Sequence, residues 1–268
     1  MSPVDMLTKI AKGEAEFYEL RITIPEGWSL DDIEMYVERI GLFTIDEFQQ
    51  AAVMQDAYRD YEFLSHLEDG TILDGYLFPD TYTVLDETTP VGVVRRMLDN
   101  FSRRIMPVMQ AQLSDTETEA SDGFADTQPY TGEHPAGRPL SLHEVLTLAS
   151  IVQHEAGGAQ EMDEVAGVFS NRLRDGWRLE SDATVNYVLG TSNRQPTFAD
   201  TEIQDPYNTY ENYGLPPGPI GNPGLDAILA TLEPAGHDYF FFLHPLGQPI
   251  VMSRTFAEHL QNKARYLD

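Results

Sequence analysis

The chain has 268 residues, enough for one large domain or two modest ones, and its 41% hydrophobic and 10% aromatic content is that of a folded protein rather than a disordered one. Forty-four acidic against 17 basic residues leave a formal net charge of −27, which repels phosphate polymers and excludes nucleic acid as a partner. With no cysteine, disulfides, thiolate metal sites and cysteine nucleophiles are excluded together.

Residues 3–12 read as an amphipathic helix, with Ser2 as cap, Pro3 in the first turn and Gly13 as stop. A strand follows over Glu19–Ile24, with Leu20, Ile22 and Ile24 alternating onto one face. After the turn at Pro25–Gly27, Ser29 caps a helix over Leu30–Ile40 and Thr44 caps another over Ile45–Arg59. Asp74–Tyr82 is aromatic and broken by proline, which predicts a surface loop or a short edge strand. Helical periodicity returns over Val91–Val108. Residues 113–138 are acidic and poor in large apolar groups, too little to offset the entropy of ordering, and predict a mobile insertion. The longest apolar run, Tyr239–Leu243, is far short of the ~20 residues needed to span a bilayer and reads as a buried strand.

His143-Glu144 and His154-Glu155 each open like a zinc-binding HExxH. Thr147 and Gly158 stand where the second histidine is required, so no metal site is expected. Nucleophile-elbow, Walker and dinucleotide-binding glycine patterns are absent as well. Glu155 remains. Ser141 caps a helix from Leu142, and Leu148, Ile151 and Val152 share a face with Glu155 at its C-terminal end. A carboxyl on an apolar face is costly to ionise, as a glycosidase general acid requires. The negative pole of the helix end discourages ionisation further. The bland reading is a glutamate paired with an arginine such as Arg172.

Three segments can supply polar groups to such a site. The helix over Val165–Leu173 brings Asn171 and Arg172 near its exit; Leu179–Tyr187 offers Ser181, Asp182 and Thr184, with Asp182 also readable as a helix cap. Tyr207, Asn208 and Thr209 precede the glycine- and proline-rich loop Gly214–Gly224. Tyrosine and asparagine beside a rigid loop suit a sugar cleft.

In this order the segments resemble the endolytic murein transglycosylases of the YceG-like family. The resemblance is carried by Ile24–Trp28, Asp74–Tyr82, Leu148–Glu155, Val165–Leu173, Leu179–Val185, Tyr207–Tyr210, Gly214–Gly218 and Ser253–His259. Glu155 matches the family's catalytic glutamate. Gln153 stands where the family usually has a second glutamate, and Ala183 where it has proline. The Gly-Gly-His element before the last motif is replaced by Gly247–Ile250.

The resemblance implies an α+β fold with two parts: a partial LysM-like α/β subdomain over residues 1–70 and a transglycosylase catalytic domain over 71–268. It implies cleavage of the MurNAc–GlcNAc β-1,4 bond within glycan strands to leave 1,6-anhydro-MurNAc ends, with Glu155 as the one catalytic carboxyl and no cofactor. Asn171, Arg172, Ser181, Asp182, Thr184, Tyr207, Asn208 and Thr209 are the expected substrate-binding residues. Peptidoglycan strands and the cell-wall synthesis machinery are the partners implied, at the outer face of the cytoplasmic membrane, through an N-terminal anchor that precedes this chain. Two alternatives stay open on the residues: a hydrolytic glycosidase with Asp182 as second carboxylate, and a non-catalytic glycan-binding protein.

Overall fold

The computed structural model describes residues 19–85, 87–115, 140–191 and 195–267; the expected helix over 3–12 and nearly all of the acidic insertion lie outside them. Strand β1 (Glu19–Thr23) pairs antiparallel with β2 (Thr81–Leu85), Ile22 opposite Tyr82. Ile22, Ile24, Tyr82 and Val84 are buried, whereas Leu20 at the open end stays 42% exposed. Helices α1 (Leu30–Arg39) and α2 (Ile45–Ala51) begin in capping boxes, Ser29 with Asp32 and Thr44 with Glu47.

Helix α2 stops eight residues short of the expected Arg59. Met54 N–H bonds to Thr71 O and Leu73 N–H to Ala52 O, so the chain after Ala52 pairs laterally instead of continuing the helix. The expected helix over 91–108 is two: α3 (Pro90–Arg104) and α4 (Met106–Asp115). Pro107 has no N–H to donate back across the junction, which favours the break there. Helix α4 also carries regular structure into the first three residues of the expected insertion.

The second half is built on α5 (Leu142–Glu155). Ser141 and Glu144 form its capping box, and ten of its residues are buried. Against it pack α6 (Met162–Arg174), α7 (Asp182–Leu189) and, beyond a one-turn α8 (Phe198–Thr201), α9 (Leu225–Leu232). Strand β3 (Phe241–Leu243) and β4 (Val251–Ser253) form an antiparallel hairpin covered by α10 (Phe256–Tyr266). The apolar run expected as a buried strand over 239–243 is shorter and shallower: only Leu243 is buried, and the ring faces of Phe240–Phe242 are shared with solvent.

One apolar core runs from Ile22 to Ala230 through both halves. Asp74–Phe78, expected at the surface, is buried in it. The reason is Asn222, fully buried: its Oδ1 accepts from Gly75 N–H and Leu77 N–H, both 2.9 Å, and its Nδ2 donates to Trp28 O at 2.9 Å. Asp74 Oδ1 accepts from Leu30 N–H at 2.7 Å at the start of α1, and Asp74 Oδ2 accepts from Tyr187 OH at 3.2 Å. Gly75 has φ +87°, and any side chain there would overlap the Pro219 ring. The loop over 214–224 is thereby clamped between α5 and residues 27–30, with Ile220 N–H on Ser150 Oγ at 3.0 Å.

Candidate active site

Glu155 is the last residue of α5, and its half-buried carboxyl meets the first turn of α7. Ser181 sits at the N-cap position of α7 but makes no capping bond. Its hydroxyl donates instead to Glu155 Oε1, at 2.6 Å, and Ala183 N–H approaches the same oxygen at 3.4 Å. One oxygen is held by the protein and the other, Oε2, carries no hydrogen bond to the described residues.

Two opposing influences set the carboxyl's proton affinity. Burial pushes Glu155 above the ordinary carboxylate range, and the negative charge of Asp182 adds to it. The Ser181 hydroxyl, Ala183 N–H and the Arg172 guanidinium pull the other way. The helix-end argument from sequence is therefore incomplete, because the positive pole of α7 faces the same group. No ion pair joins Glu155 to an arginine among the described residues. Arg172, 7% exposed, gives Nε to Phe240 O at 2.8 Å and Nη1 to Leu179 O, and lies 3.9 Å from Glu180 Oε2.

The expected sugar-binding residues separate into two groups. Ser181, Asp182 and Arg172 surround Glu155. Asp182 is the first residue of α7 rather than its cap, and its Oδ1 accepts from Tyr210 OH at 2.6 Å. Tyr210 was not among the expected site residues; its place in the Tyr207–Tyr210 motif was the available signal. Tyr207 is half-buried, its ring 5.0 Å from that of Tyr187.

The other four are occupied with the frame. Asn171 gives Nδ2 to His237 O and Tyr239 O, both 2.9 Å, and anchors the approach to β3. Asn208 Nδ2 holds Thr201 O and Ile203 O at 3.0 and 2.8 Å. Thr184 Oγ1 donates to Ser181 O at 2.8 Å and lies 2.9 Å from Thr209 Oγ1, which accepts from Ser181 N–H at 3.0 Å. These threonines lock Ser181 in place without touching Glu155. Between Leu179 and Ser181, Glu180 adopts φ +48°, a left-handed conformation that costs a non-glycine residue on the order of 1 kcal/mol or more. Its N–H on Thr209 O at 3.2 Å helps hold that bend, which aims Ser181 at the carboxyl.

Among the described residues, no group of three or more histidine or acidic side chains is arranged to hold a metal ion. His143, from the first failed HExxH, lies 2.9 Å from both Tyr76 OH and Pro217 O, in the frame.

Comparison with known proteins gives a consistent picture. The model of the YceG-like family matches residues 1–265. The endolytic murein transglycosylase of Bacillus subtilis is 33% identical over 195 residues, covering 73% of this chain and 48% of that protein. Its namesake in Streptococcus pneumoniae serotype 2 is 29% identical over 295 aligned positions, covering 98% and 49%. The chain thus spans about half the length of the curated relatives it matches. A YceG-like protein of Listeria monocytogenes, known from a crystal structure, superposes with a TM-score of 0.72 at 27% identity, over 97% of this chain and 81% of that one.

Proposed function

This chain belongs to the YceG-like family, and we propose that it is the catalytic part of an endolytic peptidoglycan transglycosylase with Glu155 as its acid and base. The observation that carries the proposal is the asymmetric carboxyl: Oε1 held by Ser181 and Ala183 N–H, Oε2 unengaged. Burial and Asp182 favour the protonated form of Glu155, whose free oxygen donates its proton to the leaving glycosidic oxygen. The carboxylate so formed is stabilised by the Ser181 hydroxyl and the first turn of α7. It then accepts the proton of the MurNAc 6-hydroxyl, which attacks its own C1 and closes the 1,6-anhydro ring. An internal nucleophile reacts at high effective concentration and removes the need for a second carboxylate that activates water. Asp182 and Arg172 hold the substrate beside Glu155, Tyr207 lines the approach, and Asn171, Thr184, Asn208 and Thr209 brace that surface.

By the same reading, the β1–β2 sheet with α1 and α2 is the end of a LysM-like subdomain divided from the catalytic domain near residue 70, and β2 reaches back across that division. The substrate is nascent glycan at the outer face of the cytoplasmic membrane, near the synthesis machinery. Mass analysis of muropeptides tests the reaction. The wild-type chain should release anhydro-ended fragments and Glu155→Gln none, with folding retained. Reducing-end products would assign a hydrolase instead, and equal digestion by both proteins would remove Glu155 from the chemistry.

A further inference from the structure

At the end of α6 the chain turns back, Trp177 N–H bonding to Arg172 O at 2.8 Å, and the Trp177 ring comes to rest on the start of β3. Its centroid is 4.8 Å from that of Phe240 and 5.9 Å from that of Phe241, which in turn is 5.9 Å from Phe256 on α10. Trp177 is 44% and Phe256 59% exposed, so the protein displays a run of aromatic faces to solvent. Contiguous exposed apolar faces, unlike scattered single ones, are the kind of surface that binds a partner or ligand.

We infer that this aromatic shelf is an outer glycan subsite, on which a sugar ring of the bound strand stacks against Trp177. The inference rests on the transglycosylase reading and adds to it a place for the strand away from the cleaved bond.

Three observations select a sugar strand as the occupant. The first is continuity with the site. The Arg172 guanidinium, one of the charges acting on Glu155, lies 5.4 Å over the Phe241 ring. Ser181, which bonds Glu155, stands only four positions after Trp177, so their Cα atoms are at most about 14 Å apart. The second is chemistry. A pyranose offers a face of C–H groups that suits an aromatic ring, while its hydroxyl edge stays in water, and tryptophan presents a large rigid surface at small entropic cost. The third is charge. In a chain of net charge −27, Arg178 follows Trp177 directly and stacks 4.8 Å over the Tyr213 ring, with no ion pair among the described residues. Its charge is available to the carboxylates of stem peptides, or to the lactyl carboxylates of strands from which amidase has removed the peptides.

The chain has two tryptophans, and the other, Trp28, packs on Tyr36, so a Trp28→Phe chain has Trp177 as its only tryptophan reporter. The probe is uncross-linked glycan strand from amidase-treated peptidoglycan, added to that chain in the Glu155→Gln background. Trp177 emission should shift to the blue and become protected from acrylamide. In the otherwise native enzyme, Trp177→Ala should weaken strand binding about tenfold and raise KM with kcat little changed, and Trp177→Phe should restore part of the loss. An unprotected Trp177 in a chain that binds strands, with Trp177→Ala cleaving like wild type, would overturn the subsite and leave the transglycosylase reading standing. A wild-type chain that neither binds nor cleaves strands would overturn that reading and the subsite with it.

Discussion

Ser181→Ala tests the asymmetric carboxyl most directly. The substitution deletes one oxygen and with it the 2.6 Å bond to Glu155 Oε1, leaving only Ala183 N–H at 3.4 Å. A hydrogen bond to an ionised partner is worth about 1.5–3 kcal/mol against roughly 0.5–1.5 for a neutral one, so losing it costs the carboxylate more than the acid and the carboxyl should hold its proton more tightly. Burial already holds it above its ordinary range, and the mutation acts in the same direction. An acid that must be protonated to start the reaction then stays protonated to higher pH. The alkaline limb of kcat/KM should move up by about one pH unit, while the plateau falls because the carboxylate formed on proton transfer is less stable. Stability follows the same sign. Above the folded pKa the bond being lost is to a charged group, and below it to a neutral one, so the mutant loses more stability at high pH than at low. The assay is the rate of anhydro-product release between about pH 4 and pH 9, with thermal melts at both ends. An alkaline limb that stays in place or moves down would show that Ser181 does not stabilise ionised Glu155, and would refute the assignment of roles.

Glu155→Gln should match or exceed the wild type in melting temperature at pH 7.5. A carboxyl whose folded pKa is raised loses stability as pH climbs from its unfolded value, and glutamine does not titrate. The gain should vanish near pH 4, and a clear loss at pH 7.5 would mean an ionised, paired group. Asp74, buried and pushed up to about 7, predicts the same slope between about pH 4 and 7, and Asp74→Asn should flatten it in a denaturant titration series. Asn171→Ala should leave the carbonyls of His237 and Tyr239 without their donor. It should cost roughly 2–4 kcal/mol, or about 5–10 °C in melting temperature, with KM unchanged. A raised KM in a fully stable Asn171→Ala protein would return Asn171 to the sugar-binding set.

Much of the frame was legible locally. Ser29, Thr44 and Ser141 each stand three residues before an acid, and each forms the capping box that this spacing predicts. Glu155 could be located because α5 periodicity and its stop at Ala156–Gly158 are both written in neighbouring residues. What could not be read was non-local. Whether a serine before a helix caps it or gives its hydroxyl away depends on what the fold brings opposite, and for Ser181 that is a carboxyl 26 positions earlier. Asn171 looks like a ligand-binding amide in one dimension, but the carbonyls it holds, of His237 and Tyr239, stand 66 and 68 positions later. The burial of Asp74–Phe78 depends on Asn222, at the far end of the chain, and no window around residue 75 contains that information.

That last dependence has a consequence in time. Asn222 supplies the only side-chain acceptor found for Gly75 N–H and Leu77 N–H among the described residues, and it stands 147 and 145 positions after them. At synthesis rates of about 5–20 residues per second, roughly 7–30 s pass between the emergence of residue 75 and that of its partner. Through that interval the Tyr76 and Leu77 side chains and two unpaired amides wait without their cover, and a ribosome stalled before codon 222 leaves them so. The growing chain therefore has a defined window of exposure to chaperones and proteases, and slowing translation between codons 80 and 220 should lengthen it and lower the yield of folded protein.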